Sequence, residues 1–187
     1  MDIEPMTIWV TASQGARLAA MKKRFRLEES AYIEELKGEG KTSREARAEA
    51  AAQRAEWWPS VTDLVAAAVR RRLAEPDLAG PWAPLSRAER AQLALAGAWP
   101  GPHPGGLVER KYQFPSDLAM SLRTAAWRVS EHALAELRAR GLVGTGDLGL
   151  SGAQVRTRHE LIEKLHPPGR IVRQALTRHG PWTADEA

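Results

Sequence analysis

Two short runs of alternating apolar and polar residues lie far apart in a chain whose other patterning is helical. They limit the fold more than any other feature. In Lys111-Tyr112-Gln113-Phe114 the alternation reads as a half-buried strand, with Tyr112 and Phe114 facing inward. Pro115 ends the run, and Ser116-Asp117 supplies helix-capping oxygens. Leu118, Leu122, Ala125 and Ala126 then share one helix face. The pattern predicts a break at Arg128-Val129-Ser130, with Ser130 as a new N-cap. A second amphipathic helix then carries Ala133, Leu134 and Leu137 and stops at Gly141. A unit of strand, short helix, turn and helix cannot bury its own apolar faces, so it needs a second copy.

The N-terminal half supplies one. Met6 to Ala12 alternates again, with Ile8 and Val10 on one side and Thr7, Trp9 and Thr11 on the other. Ser13 caps a helix carrying Leu18, Met21 and Phe25, whose outer side is basic through Arg17, Lys22, Lys23 and Arg24. A segment with Tyr32, Ile33 and Leu36 halts at Gly38-Glu39-Gly40. Thr42 and Glu45 form a capping box that opens an Ala/Arg/Glu helix to about Trp57. That helix is either a solvated connector or one packed closely through alanines. Pro59 breaks it. Ser60 caps the next helix, with the stripe Val61, Leu64, Val65, Ala68 and Leu73, and Arg70-Arg71-Arg72 suits its C-terminal dipole.

Prolines and glycines punctuate residues 76–106 and mark a linker. Within it Ser86 and Glu89 open a short helix with Leu93 and Leu95, and Trp82 and Trp99 dock it. Beyond the second unit come a Gly-rich loop from Leu142 to Gly149 and a helix from Ser151 to Leu165. His166-Pro167-Pro168-Gly169 then forms a break. The last helix has Ile171, Val172, Ala175 and Leu176 inside and Arg170, Arg173 and Arg178 outside.

Ile8-Trp9-Val10 aligns with Tyr112-Gln113-Phe114, Leu18 with Leu122, Leu64-Val65 with Ile171-Val172, and Ala68-Val69 with Ala175-Leu176. The expected fold is therefore mainly α with two short β-strands, in tandem strand-helix repeats whose strands pair as an antiparallel ribbon. The first repeat spans 1–75, the linker 76–106, the second repeat 107–180 and a tail 181–187. Such a chain is a single-chain pseudo-dimer.

Composition removes several functions. The chain has 187 residues and no cysteine, which excludes disulfides, thiolate metal sites and cysteine nucleophiles. No apolar run approaches the ~20 residues that span a bilayer. No membrane partner is expected, and the expected compartment is cytoplasmic. The five histidines lack metal-ligand spacing, and no P-loop or nucleophile elbow is present. Gly144-Thr145-Gly146-Asp147 is a loop that no strand precedes. Neither enzymatic activity nor a cofactor is expected. The formal charge of +4 is compatible with a nucleic-acid partner without requiring one.

A short strand followed by helices, in two copies, resembles the ribbon-helix-helix DNA-binding family, in which a two-stranded ribbon enters the major groove. The resemblance implies double-stranded DNA as the partner, with bases read by Thr7, Trp9, Thr11, Lys111 and Gln113. It implies phosphate contacts at helix N-termini, here Ser60 and Ser130. Lys22, Lys23, Arg70, Arg71, Arg170 and Arg173 complete the phosphate set. The chain departs from the family where Glu28-Glu29 occupies the expected start of the second helix. Either each repeat carries extra helices, or an insertion separates the family's two. The resemblance implies a sequence-specific transcriptional regulator or a plasmid or mobile-element accessory factor. The competing class is a helical interaction or scaffold protein. Further self-association or a protein partner is compatible with both.

Overall fold

The computed structural model describes residues 2–93, 99, 106–143 and 147–182. Leu95, Gly144 to Gly146 and the end of the tail from residue 183 lie outside them. The chain is mainly helical and has one two-stranded antiparallel sheet. Strand β1 (Ile3–Thr11) pairs with β2 (Leu107–Pro115) over its whole length, from Ile3 opposite Pro115 to Thr11 opposite Leu107. Both strands start earlier than their clearest alternation. Period-two geometry turns Met6, Ile8, Val10, Tyr112 and Phe114 to one face, and all five are buried. Tyr112 and Phe114 stack there with ring centroids 5.7 Å apart.

Each strand runs straight into a long helix. Helix α1 (Ala12–Gly38) is capped by Thr11 rather than Ser13: the Thr11 hydroxyl accepts from Gln14 N–H, and Gln14 Oε1 accepts from Thr11 N–H. Gly15 sits in its first turn because β2 passes so close. A Cβ there would lie 2.9 Å from a Val108 methyl. Helix α1 is continuous through Glu28-Glu29, so no second helix starts at that pair.

Helix α5 (Ser116–Ala139) likewise runs without the expected break at residues 128–130. Nothing between Ser116 and Ala139 is Gly or Pro. Ser130 is tolerated mid-helix because its buried hydroxyl accepts the His166 N–H at 2.8 Å. It is not an N-cap.

Helices α2 (Ser43–Trp57), with its Thr42–Glu45 capping box, and α3 (Val61–Leu73), with its Ser60 cap, form as expected. Ala46 and Ala50 are fully buried, which makes α2 a helix packed through alanines on α1. A short α4 (Arg87–Leu93) precedes β2, and α6 (Gly152–Glu163) and α7 (Pro168–His179) follow α5. The order strand, long helix, helix, helix thus occurs twice, with α4 between.

One core joins both halves. It takes the ribbon's inner face, Leu18, Val65 and Val69 of α3, Leu118 and Leu122 of α5, and Ile171, Val172 and Leu176 of α7. Leu78, from the Pro-rich segment, is buried in the same cluster. A second cluster gathers Trp127, Leu134 and Leu137 of α5 with Leu161, Leu165 and Leu85. No helix among the described residues is long and apolar enough to cross a membrane.

Candidate nucleic-acid interface

The outer face of the ribbon is the feature that the core leaves uncovered. Across it Pro5 opposes Gln113, Thr7 opposes Lys111 and Trp9 opposes Glu109. Pro5, Thr7, Glu109, Lys111 and Gln113 are exposed, and Trp9 is partly buried. Directly opposed Cβ atoms in such a ladder lie roughly 4.5–5.5 Å apart, so these side chains form one continuous surface. The buried Met6, Ile8, Val10, Tyr112 and Phe114 hold that surface rigid from behind.

Four of the five expected base-reading residues share this face. Thr11 stands at its end, partly buried, with its hydroxyl oxygen engaged in capping α1. Glu109 belongs to the face and was not anticipated from sequence, because the visible alternation starts only at Lys111. The signal that could have found it is the strand length: two paired strands need matched lengths, and β1 reads back from Thr11.

The two candidate phosphate-binding helix ends differ. At α3, Asp63 Oδ2 accepts from Ser60 N–H at 3.2 Å and from the Ser60 hydroxyl at 2.6 Å, while Ser60 Oγ accepts from Asp63 N–H at 3.1 Å. A carboxylate therefore stands where an anion would approach. At α7 the cap is Pro167, with no side-chain hydrogen bond. That end lies against β1: Arg173 Nη1 donates to the Trp9 carbonyl at 2.8 Å, and Gln14 Nε2 donates to the Arg173 carbonyl at 2.9 Å. Burial and the nearby Arg170 charge hold the Arg173 guanidinium below its usual pKa.

The remaining candidates are dispersed. Lys22 and Lys23 are exposed on α1, ten or more residues beyond Thr11, which is about 15 Å along the helix. Arg70 and Arg71 are exposed in the last turn of α3. Arg170 Nη1 donates to the Glu163 and Leu165 carbonyls at 2.6 and 2.9 Å, closing the C-terminal end of α6. Ser130 is excluded as a phosphate contact, because it is 0% exposed and hydrogen-bonded inside the fold.

Arg72, read from sequence only as one of three helix-end arginines, has a different task. It is 1% exposed and donates to Asp77 through two nitrogens at 2.7 and 2.6 Å, to Glu75 at 3.2 Å and to Gln174 at 3.1 Å. The Asp77 hydrogen bonds and charge raise its pKa. Glu75 also accepts from Arg178 and contacts His179 Nε2 at 2.6 Å, so this network ties the turn after α3 to α7. Among the described residues no group of three or more His, Asp or Glu side chains could hold a metal ion. No family model matches the chain, and no curated protein or solved structure is significantly similar to it.

Proposed function

We propose that the chain is a sequence-specific double-stranded DNA-binding protein whose β1–β2 ribbon enters the major groove. The observation that carries this reading is the ribbon itself. Its inner residues join the core shared by both halves, while its outer face exposes Thr7, Lys111 and Gln113 around a partly buried Trp9. A two-stranded ribbon fits the ~12 Å major groove, and Gln, Lys and Thr have complementary donors and acceptors for base edges.

The repeated element order supports a tandem origin, in which each half stands for one subunit of a ribbon-helix-helix dimer. In that reading α1 with α3, and α5 with α7, are the family's helix pairs, and α2 and α6 are insertions between them. Two unlike strands then read an asymmetric site. Arg70 and Arg71 supply backbone contacts, and the uncapped start of α7 is the better phosphate-facing helix end. A regulator or mobile-element accessory factor is the class of protein this describes.

The test is fluorescence anisotropy of the full chain against random duplex and against DNA upstream of its own coding region, across salt. Preference for the upstream DNA, lost on Lys111→Ala with Gln113→Ala, is the expected result. Equal, weak binding to both duplexes before and after substitution sinks the proposal.

A further inference from the structure

Helix α1 divides its charge at its midpoint. From Ala12 to Arg26 it carries Arg17, Lys22, Lys23, Arg24 and Arg26 and no acid. From Glu28 to its end it carries four glutamates and one base, Lys37. Leu27 separates the halves and is 62% exposed. Leu18 and Leu36 are buried, and each lies nine residues from Leu27, about two and a half turns. Leu27 therefore points away from the side of α1 that packs on α2 and the ribbon. Lys23, Ser30, Ala31 and Glu34 share its stripe and are exposed as well.

Neither Lys22, Lys23 nor Arg26 forms an ion pair with the described residues, whereas Glu34 holds Lys37 at 2.7 Å and Glu28 holds Arg24 at 3.7 Å. A surface whose charge reverses about an exposed leucine is complementary to itself under a two-fold rotation. Two such helices laid antiparallel bring the basic half of each against the acidic half of the other.

We propose that this face of α1 docks a second copy of the chain. The pairing is isologous: Lys23 of each copy faces Glu34 of the other, and the two Leu27 side chains pack over the Ser30–Ala31 turns. A single exposed ion pair contributes little, but here the pairs occur twice around a shared apolar centre. The surface lies on the opposite side of α1 from its packing on the ribbon, so the pairing does not depend on the DNA reading. If both hold, one assembly carries two ribbons.

Sedimentation equilibrium of the full chain at micromolar concentration tests this. The expected species at low salt has twice the 20.6 kDa chain mass and dissociates in about 1 M salt. Lys23→Glu and Glu34→Lys each weaken the dimer by at least about tenfold, because each sets like charges together twice. Mixed in equal amounts, the two variants form a heterodimer, since one contributes two glutamates and the other two lysines. Leu27→Asp abolishes association with the circular dichroism unchanged. A monomer at every concentration in low salt, a dimer indifferent to Leu27→Asp, or single variants that stay monomeric when mixed overturns the proposal. So does a Lys23→Glu variant that loses DNA affinity while dimerising normally, which would make Lys23 a phosphate contact instead.

Discussion

Thr7 and Lys111 face each other at the middle of the β1–β2 ladder, with four residue pairs on either side. Each strand enters its helix at the next residue after the ladder ends. Superposing the two strand–helix junctions therefore brings Thr7 onto Lys111. The register of the ladder is symmetric about this pair, and the chemistry is not: a neutral hydroxyl stands opposite an ammonium. The neighbouring pairs repeat the contrast, with Pro5 beside Gln113 and Trp9 beside Glu109.

Lys111→Thr makes the centre of the ribbon chemically equal on both strands. If Lys111 reads a base, the substitution lowers discrimination between the preferred and a random duplex by about 1–3 kcal/mol and leaves random-duplex binding nearly unchanged. Competition anisotropy at fixed salt measures both quantities. An equal loss on both duplexes assigns Lys111 to a phosphate.

Arg72→Ala removes a side chain that is 1% exposed and joins Asp77, Glu75 and Gln174. Lost packing and a broken network destabilise the fold by about 2–4 kcal/mol in urea titration. Arg72→Met keeps most of the buried volume and is expected to cost clearly less, because solvent hydrates Asp77 in both variants and only Arg72→Ala also leaves a cavity. Equal losses for the two variants contradict a role centred on packing.

The ribbon, the helix caps at Thr42, Ser60 and Ser86 and the inner face of α7 were legible in the sequence. Each rests on local signals: period-two alternation, a capping residue followed by Glu or Asp, and a 3.6-residue apolar stripe. The break predicted at Ser130 does not form. A serine after β-branched Val129 looks like a cap in sequence, and only the distant His166 amide shows what its hydroxyl serves. Arg72 failed for a related reason. Its burial is decided by Asp77 and Gln174, which no helical periodicity links to it. Glu109 was missed because a strand's beginning carries less pattern than its buried middle.

Ser130→Ala deprives the His166 N–H of its acceptor inside the fold. The expected cost is about 1–3 kcal/mol of stability, read from the shift of a thermal or urea transition. DNA affinity measured well below that transition stays unchanged, since the residue does not reach the surface. A loss of DNA affinity without a loss of stability would restore the phosphate role that its burial argues against.

Glu89 holds the short helix α4 onto α5. One of its oxygens accepts from Arg128 Nη1 at 2.6 Å and from Trp127 Nε1 at 3.1 Å, and the other accepts from Ser86 N–H at 2.6 Å. The Arg128 hydrogen bond, followed by those from Ser86, lowers its pKa from 4.5 to about 2. A depressed carboxylate stabilises the folded state fully above the unfolded value. That contribution is lost as pH falls from 4.5 through about 2, where the folded group takes up its proton. The Trp127 indole N–H resonance, followed by NMR during acidification, should hold its position at pH 4.5 and move only toward pH 2. Glu89→Gln removes the carboxylate, so its indole signal is displaced at neutral pH and loses this titration. A wild-type transition centred near 4.5 would show that Arg128 does not hold Glu89 in solution and that α4 is docked by apolar packing through Leu85, Leu93 and Trp99.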